Sequence, residues 1–265
     1  MTPDFSNHPR AQPVARNGIA SETLAANGVR RVSAYEANQL CGLAASGIWI
    51  PYHKLEGDPI REENREFGRL RLHDEIDGRR YHARSGSRSH LYQPAAFLDL
   101  ITQNTCREFF LTEGEFKALS LTEAGIAAAG VSGIGNAAPK GRLVDELQLL
   151  VTDSQFDRVF FVGDSDVGIN ADFARAMVKI ANALPDEIDL AVIAPGLAAP
   201  DKGIDDIRAK LGSEFSSYWA RLTANSVPVP RGGAWETLAV TLLRRESPAE
   251  IAKVVNDDAT EKEAA

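Results

Sequence analysis

Two rhythms of apolar and polar residues divide this chain near Thr105. Before that point apolar positions alternate with polar ones over short stretches, the pattern of half-buried antiparallel strands. Gly47-Ile48-Trp49-Ile50-Pro51-Tyr52 reads as a strand stopped or bent at Pro51, because proline donates nothing to a ladder. Phe67 to Leu72 and Arg80 to Arg84 alternate as strands do, and Asp77-Gly78 between them is a hairpin signal. Val29 to Val32 and Leu91-Tyr92 read as further short strands. Helical pieces are few: one turn at Ser21 to Ala26 capped by Ser21, and a helix to Leu43 capped by Ser33, with Glu36 completing a capping box. Asp58 to Glu66 and Ser85 to Ser89 read as charged or polar loops. The expectation is a small, mostly antiparallel α+β unit.

From Thr105 onward, unbroken apolar runs alternate with helical periods, which implies right-handed βαβ crossovers and a buried parallel sheet. Strands are expected at Phe109 to Thr112, Ile126 to Val131, Val159 to Val162 and Asp189 to Ala194. Helices are expected at Glu115 to Ala124, Leu143 to Val151 and Asn170 to Leu184, and another opens at Lys202-Gly203-Ile204-Asp205-Asp206. Helical patterns follow over Glu214 to Leu222 and Ala234 to Arg244, and Ser247 caps a last helix toward Val255. The expected organisation is a disordered lead-in (1–18), an N-terminal α+β unit (19–104), a parallel α/β unit (105–212), and C-terminal helices with an acidic tail (213–265).

Composition narrows the classes. A chain of 265 residues can bury a real core. It has no run of about 18 apolar residues, so no membrane span is expected. Its first residues lack the apolar region of a secretory signal. Cys41 and Cys106 are far apart in sequence, which favours a reduced, cytoplasmic setting and excludes a zinc ribbon. The net charge of −8 argues against a chain coated in positive charge to grip nucleic acid. Locally the sign reverses: Arg69, Arg71, Arg79, Arg80, Arg84 and Arg88 face only Asp74, Glu75 and Asp77. Such guanidinium forks match phosphates, with Tyr81 and Tyr92 available to stack on bases; a solvated hairpin face is the plainer alternative. His53, His73, His82 and His90 show no metal spacing and read as surface or phosphate-contacting residues.

The chemistry gathers where apolar strands end in acids. Phe109-Phe110-Leu111-Thr112-Glu113-Gly114-Glu115 and Arg158-Val159-Phe160-Phe161-Val162-Gly163-Asp164-Ser165-Asp166 each run from a buried strand into carboxylates beside a glycine. An isolated buried carboxylate is costly unless paired or bound to a cation, and open parallel sheets bind ligands at the carboxyl ends of their strands. Glu113, Asp164 and Asp166 are therefore candidate ligands of a hard divalent cation, Mg²⁺ or Mn²⁺. Asp205 and Asp206 are further acids, with helix capping beside the dipole as the alternative; capping is also the alternative for Asp164 and Asp166. Ser132-Gly133-Ile134-Gly135 lacks the Walker pattern and reads as a plain strand-to-helix turn.

Leu111-Thr112-Glu113-Gly114-Glu115, Val162-Gly163-Asp164-Ser165-Asp166 and Lys202-Gly203-Ile204-Asp205-Asp206 together resemble the three motifs of the Toprim domain of primases, topoisomerases and some nucleases. The resemblance is nearest to the Toprim-like, primase-associated domain of plasmid, phage and integrative-element replication proteins, and spans roughly residues 18 to 212. Gly47 to Tyr52 resembles the primase-core strand before its basic region. Arg80-Tyr81 and Ser87-Arg88-Ser89-His90-Leu91-Tyr92 resemble the basic stretch itself. The resemblance implies a Rossmann-like parallel sheet preceded by a small α+β subdomain. It implies Glu113 as general acid/base or metal ligand, and Asp164, Asp166 and Asp205 as ligands of Mg²⁺ or Mn²⁺. Arg71, Arg80, Arg84 and Arg88 are the candidate nucleic-acid or nucleotide contacts. The function implied is a primase-like nucleotidyltransferase core working on single-stranded DNA and nucleotides, with a replicative helicase or another replication protein supplying template selection and unwinding. A metal-dependent nuclease on the same fold, or a non-catalytic DNA- or helicase-binding module, are the alternatives.

Overall fold

The computed structural model describes Arg16 and residues 18–103, 107–153, 156–233 and 235–250. Most of the lead-in, Cys106, the end of the last expected helix and the acidic tail lie outside these residues.

Helix α1 (Ser21–Ala26) and strand β1 (Arg30–Val32) lead to α2 (Ala34–Cys41) and β2 (Gly47–Pro51). A ribbon of β3 (Arg61–Glu62) and β4 (Arg65–Glu66) precedes β5 (Gly68–Ile76) and β6 (Arg79–His82). The Ser33–Glu36 capping box is present at α2. Ser21 does not cap α1: Ala20 holds that position. A tertiary partner replaces the cap, since Glu123 accepts the Ala20 N–H and the Thr23 hydroxyl. Asp77 and Gly78 adopt φ of 51° and 69°, the left-handed pair that a two-residue hairpin turn requires. The charged stretch expected as a loop folds instead into the β3–β4 ribbon, turned at Glu63 and Asn64 with positive φ and closed by an Arg61–Glu66 ion pair of 3.5 Å.

Strands β1, β2, β5 and β6 form an antiparallel sheet in the order β1-β2-β5-β6. Its central strand is buried on both faces, which accounts for the unbroken Ile48-Trp49-Ile50 run. Ile48 and Ile50 join a core with Phe116 and Leu119, while Trp49 packs with Ala37 and Cys41 of α2.

The second sheet begins with β7 (Leu91–Tyr92), followed by α3 (Phe97–Gln103), β8 (Glu108–Glu113), α4 (Glu115–Glu123) and β9 (Ala128–Val131). Then come α5 (Asp145–Asp153), β10 (Arg158–Val162), α6 (Ala171–Ala183), β11 (Asp189–Ile193) and α7 (Ile204–Leu211). Helix α8 (Phe215–Ala224), β12 (Val227–Pro228) and α9 (Trp235–Leu243) complete the described elements. The strand order is β12-β11-β10-β8-β9-β7, parallel across β11, β10, β8 and β9 and antiparallel at both edges. Pro228 sits on an edge strand, where a missing N–H is tolerated. Leu91-Tyr92 adds the opposite edge, so the stretch expected as the N-terminal unit contributes a strand to the parallel-containing sheet.

Alternate residues of β10 enter different cores: Val159 and Phe161 on one face, Phe160 and Val162 on the other. On the second face Phe110 stacks on Phe160 at 5.1 Å and meets Trp219 of α8. This α/β architecture, a parallel-containing sheet with a small α+β sheet ahead of it and helices behind, is the fold class expected from the sequence.

The chain leaves β8 for β9 on one side, then crosses back to β10 on the other. Neighbouring helices therefore diverge at the carboxyl ends of β8 and β10, which opens a crevice there.

Candidate functional site

That crevice is a cleft of about 460 Å³ whose lining includes Glu113, Lys117, Asp164, Asp166, Lys202, Asp205, Asp206, Arg16, Arg69 and Tyr81. Glu113 is the last residue of β8, and Asp164 follows the end of β10 by two residues. Gly114 turns the chain from β8 into α4 at φ 99°, a conformation that L side chains resist. The close approach of α4 to the sheet needs Gly130 as well, because a Cβ there would stand 2.8 Å from the Gly114 carbonyl oxygen.

Each aspartate of the Asp-x-Asp pair carries its own lysine. Lys117 Nζ, in the first turn of α4, donates to Asp164 Oδ1. Lys202 Nζ lies 2.8 Å from Asp166 Oδ2, and that hydrogen bond raises the lysine's pKa against the desolvation that opposes it. The Lys202 carbonyl also accepts the Ser165 N–H at 2.9 Å, tying the two loops together. Capping does not explain these aspartates: α6 is capped by the Asn170 side chain, which accepts the Phe173 N–H. Glu113 stands at the rim of this set. Desolvation in the cleft pushes its carboxyl above the usual range, Lys117 pulls it down, and Asp164 and Asp166 push it up again. A glutamate tuned upward in this way is suited to exchange a proton with a bound group.

Asp205 departs from expectation. Expected to join Asp164 and Asp166, it is 2% exposed and paired with Arg16 Nη2 at 2.8 Å. Its Oδ1 has no hydrogen-bond partner among the described residues. The reason is helical phase: α7 starts at Ile204 with no side-chain cap, so Asp205 turns inward with Ile204 and Ile207 while Asp206 stays half-buried.

The candidate arginines do not line the cleft. Arg71 reaches its neighbourhood only by lying over the Phe116 ring at 6.0 Å. Arg80 pairs with Glu75 at 3.1 Å and Arg88 with Asp145 at 3.1 Å, both exposed. Arg84 donates to the Leu40 and Gln39 carbonyls, whose C-terminal position on α2 leaves them without helical partners. The arginines that do line it are Arg69 and Arg16, and Arg16 falls in the stretch expected to be a disordered lead-in. Arg69 lies over the Tyr81 ring at 4.6 Å and donates to Glu115 Oε1 at 2.8 Å; Tyr52 donates to the same oxygen at 2.7 Å. Glu115, 1% exposed, is thus a buried tie between the two sheets at the wall of the cleft.

His90 is not a surface residue. It is 5% exposed, with Nδ1 2.7 Å from Glu146 and Nε2 2.9 Å from Glu62. Lys202 carried no signal in the sequence beyond its place at the head of the third acidic motif, and Lys117, two residues past the first, carried none. Arg16 carried none, because its partner is 189 residues away.

The donor chemistry suits a hard divalent cation, since carboxylate oxygens face the cleft and, among the described residues, no thiolate or imidazole does. Among the described residues, however, no group of three His, Cys, Asp or Glu side chains is arranged to hold a metal ion. The fit is therefore to a cation held by one or two carboxylates and water, a habit of Mg²⁺, rather than by a closed cage.

Residues 97–215 match the family model of a domain of unknown function, DUF3854. No curated protein matches the chain. Solved structures do resemble it. One is the DnaG primase catalytic domain bound to single-stranded DNA, with a TM-score of 0.56 and 15% identity over 91% of this chain and 78% of that one. The Escherichia coli primase catalytic core gives 0.56 and 15% over 90% and 79%. Another DnaG catalytic core gives 0.54 and 17% over 80% and 71%. The fold is that of the DnaG primase catalytic core.

Proposed function

We propose that this chain is a primase-like, metal-dependent nucleotidyltransferase core that acts in DNA replication of a mobile element such as a plasmid or phage. The observation that carries the reading is the acid- and lysine-lined cleft at the switch point of the sheet, on a fold shared with primase cores. The mobile-element context is supported by the sequence resemblance alone. Asp164 and Asp166 would hold Mg²⁺ or Mn²⁺, which when bound supplies charge stabilisation for the departing pyrophosphate. Glu113, its carboxyl tuned upward, takes the proton of the attacking 3′-hydroxyl. Lys117 and Lys202 are the ammonium donors that the cleft offers to a triphosphate. Arg71, Arg80 and Arg88 are proposed contacts of single-stranded DNA; Arg84 leaves this set because its guanidinium serves α2. A replicative helicase is the proposed partner, and the cytoplasm the proposed location.

The test is de novo primer synthesis on single-stranded DNA with labelled nucleotides and Mg²⁺ or Mn²⁺, comparing wild type with Asp164→Asn. Short products from wild type, reduced at least about a hundredfold in the variant, are expected. Degradation of labelled DNA that is lost in the variant would instead identify a nuclease. The lysine pairing of both aspartates favours one second reading, a binding module in which these ion pairs are structural. That module would bind DNA equally well with Asn at position 164 and synthesise nothing.

A further inference from the structure

We infer that Lys117 and Lys202 are exchangeable counter-charges, which neutralise Asp164 and Asp166 until a divalent cation displaces them and then hold the phosphates of a nucleoside triphosphate. The inference rests on the metal-dependent reading above and describes how that same site is loaded.

Two aspartates in one short loop are met by two lysines from different elements, one in the first turn of α4 and one in the loop ahead of α7. The Lys117–Asp164 pair is largely withdrawn from solvent, at 17% and 20% exposure. Neither charge can be left alone there without a desolvation penalty, so an ammonium displaced from the aspartate must find another anion. Beside the Arg16–Asp205 and Arg69–Glu115 pairs, the cleft sets Glu113, Asp164, Asp166 and Asp206 against Lys117 and Lys202, two net negative charges when Glu113 is ionised, which a divalent cation neutralises. A triphosphate entering beside the cation then meets the displaced ammonium groups as its donors.

The movement needs no backbone change. Lysine is a point charge on a flexible four-carbon stem, with donors that rotate freely. Gly203 leaves space beside that stem, because a Cβ there would come within 3.3 Å of Lys117 Cε. Cation and triphosphate then bind with positive coupling, because each removes the lysines' competing partner.

The experiment measures binding rather than turnover. Free Mn²⁺ is counted by electron paramagnetic resonance in titrations of the full chain as wild type, Lys117→Met, Lys202→Met and Asp164→Asn. A fluorescent, non-hydrolysable triphosphate is titrated by anisotropy with and without Mn²⁺, and thermal melts show that each variant is folded. Each lysine variant is expected to bind Mn²⁺ alone about tenfold more tightly than wild type, as removal of a competing cation requires. Each should also lose most of the Mn²⁺-dependent gain in triphosphate affinity. If folded lysine variants bind Mn²⁺ no more tightly while Asp164→Asn binds it less, the exchange is wrong and the metal reading stands. If neither wild type nor the lysine variants bind Mn²⁺, the metal reading fails and the exchange fails with it.

Discussion

The two walls of the cleft use charge in opposite ways. On the four-stranded sheet, Arg69 is committed to a buried carboxylate: Glu115 takes it, with Tyr52, at the contact between the sheets. On the six-stranded sheet, Glu113, Asp164 and Asp166 stand where parallel strands stop, at a crevice that packing cannot close. Glu113 and Glu115 lie two residues apart, yet one is exposed and the other 1% exposed. The strand-to-helix turn at Gly114 separates them, aiming one into the cleft and the other into the core. Charge buried between layers holds the molecule together, whereas the acids at strand ends line the cleft, with each aspartate paired to a lysine.

The comparison can be broken most severely on the first wall. Arg69→Met should lower stability by about 3–5 kcal/mol, because it leaves Glu115 buried without its ion partner; urea denaturation would measure it. Gly68→Ala should follow at about 1–3 kcal/mol, since overpacking is its mechanism. Its new Cβ would collide with the Trp49 ring and stand 2.6 Å from the Ile50 carbonyl oxygen. An unchanged urea midpoint in either variant would mean that the sheets are not held as described.

His90 sharpens the contrast through pH. Burial opposes its charge, but hydrogen bonds to Glu146 and Glu62 outweigh that and raise its pKa above the ordinary value of about 6.5. A raised folded-state pKa stabilises fully below the unfolded value and loses that stabilisation as pH rises through the folded one. Both glutamates are held below their ordinary range, so their share is lost in acid instead. The urea midpoint of wild type should therefore fall from about pH 6 toward pH 9, and His90→Gln should flatten that decline.

The smallest effects belong to the cleft acids and the exposed arginines. Glu113→Gln should raise stability slightly at pH 7, within about 0.5 kcal/mol, because a carboxylate whose folded pKa is raised destabilises the fold once ionised. The opposite sign is expected two residues along, where Glu115→Gln should destabilise. Arg80→Ala should stay within about 0.5 kcal/mol, its partner Glu75 being half exposed.

Much of this was legible in the chain. The unbroken Val159-Phe160-Phe161-Val162 run announced a strand buried on both faces, and Ser33 with Glu36 announced a helix start. Asp77-Gly78 announced a hairpin. The signals are local, because burial periodicity, caps and turns depend on neighbours within a few residues. The ends of β8 and β10 also marked Glu113, Asp164 and Asp166, since apolar runs that stop at acids need a reason to do so. Partnership across the chain was not legible. That Arg16 reaches Asp205, that Lys117 and Lys202 meet the aspartates, and that His90 is locked between Glu62 and Glu146 follow from contacts far apart in sequence. The sequence by itself determined which strands exist and where acids interrupt them. Only the tertiary structure decided which charges are consumed in holding the sheets together and which remain at the cleft, because pairing depends on distance and desolvation, and both are set by packing.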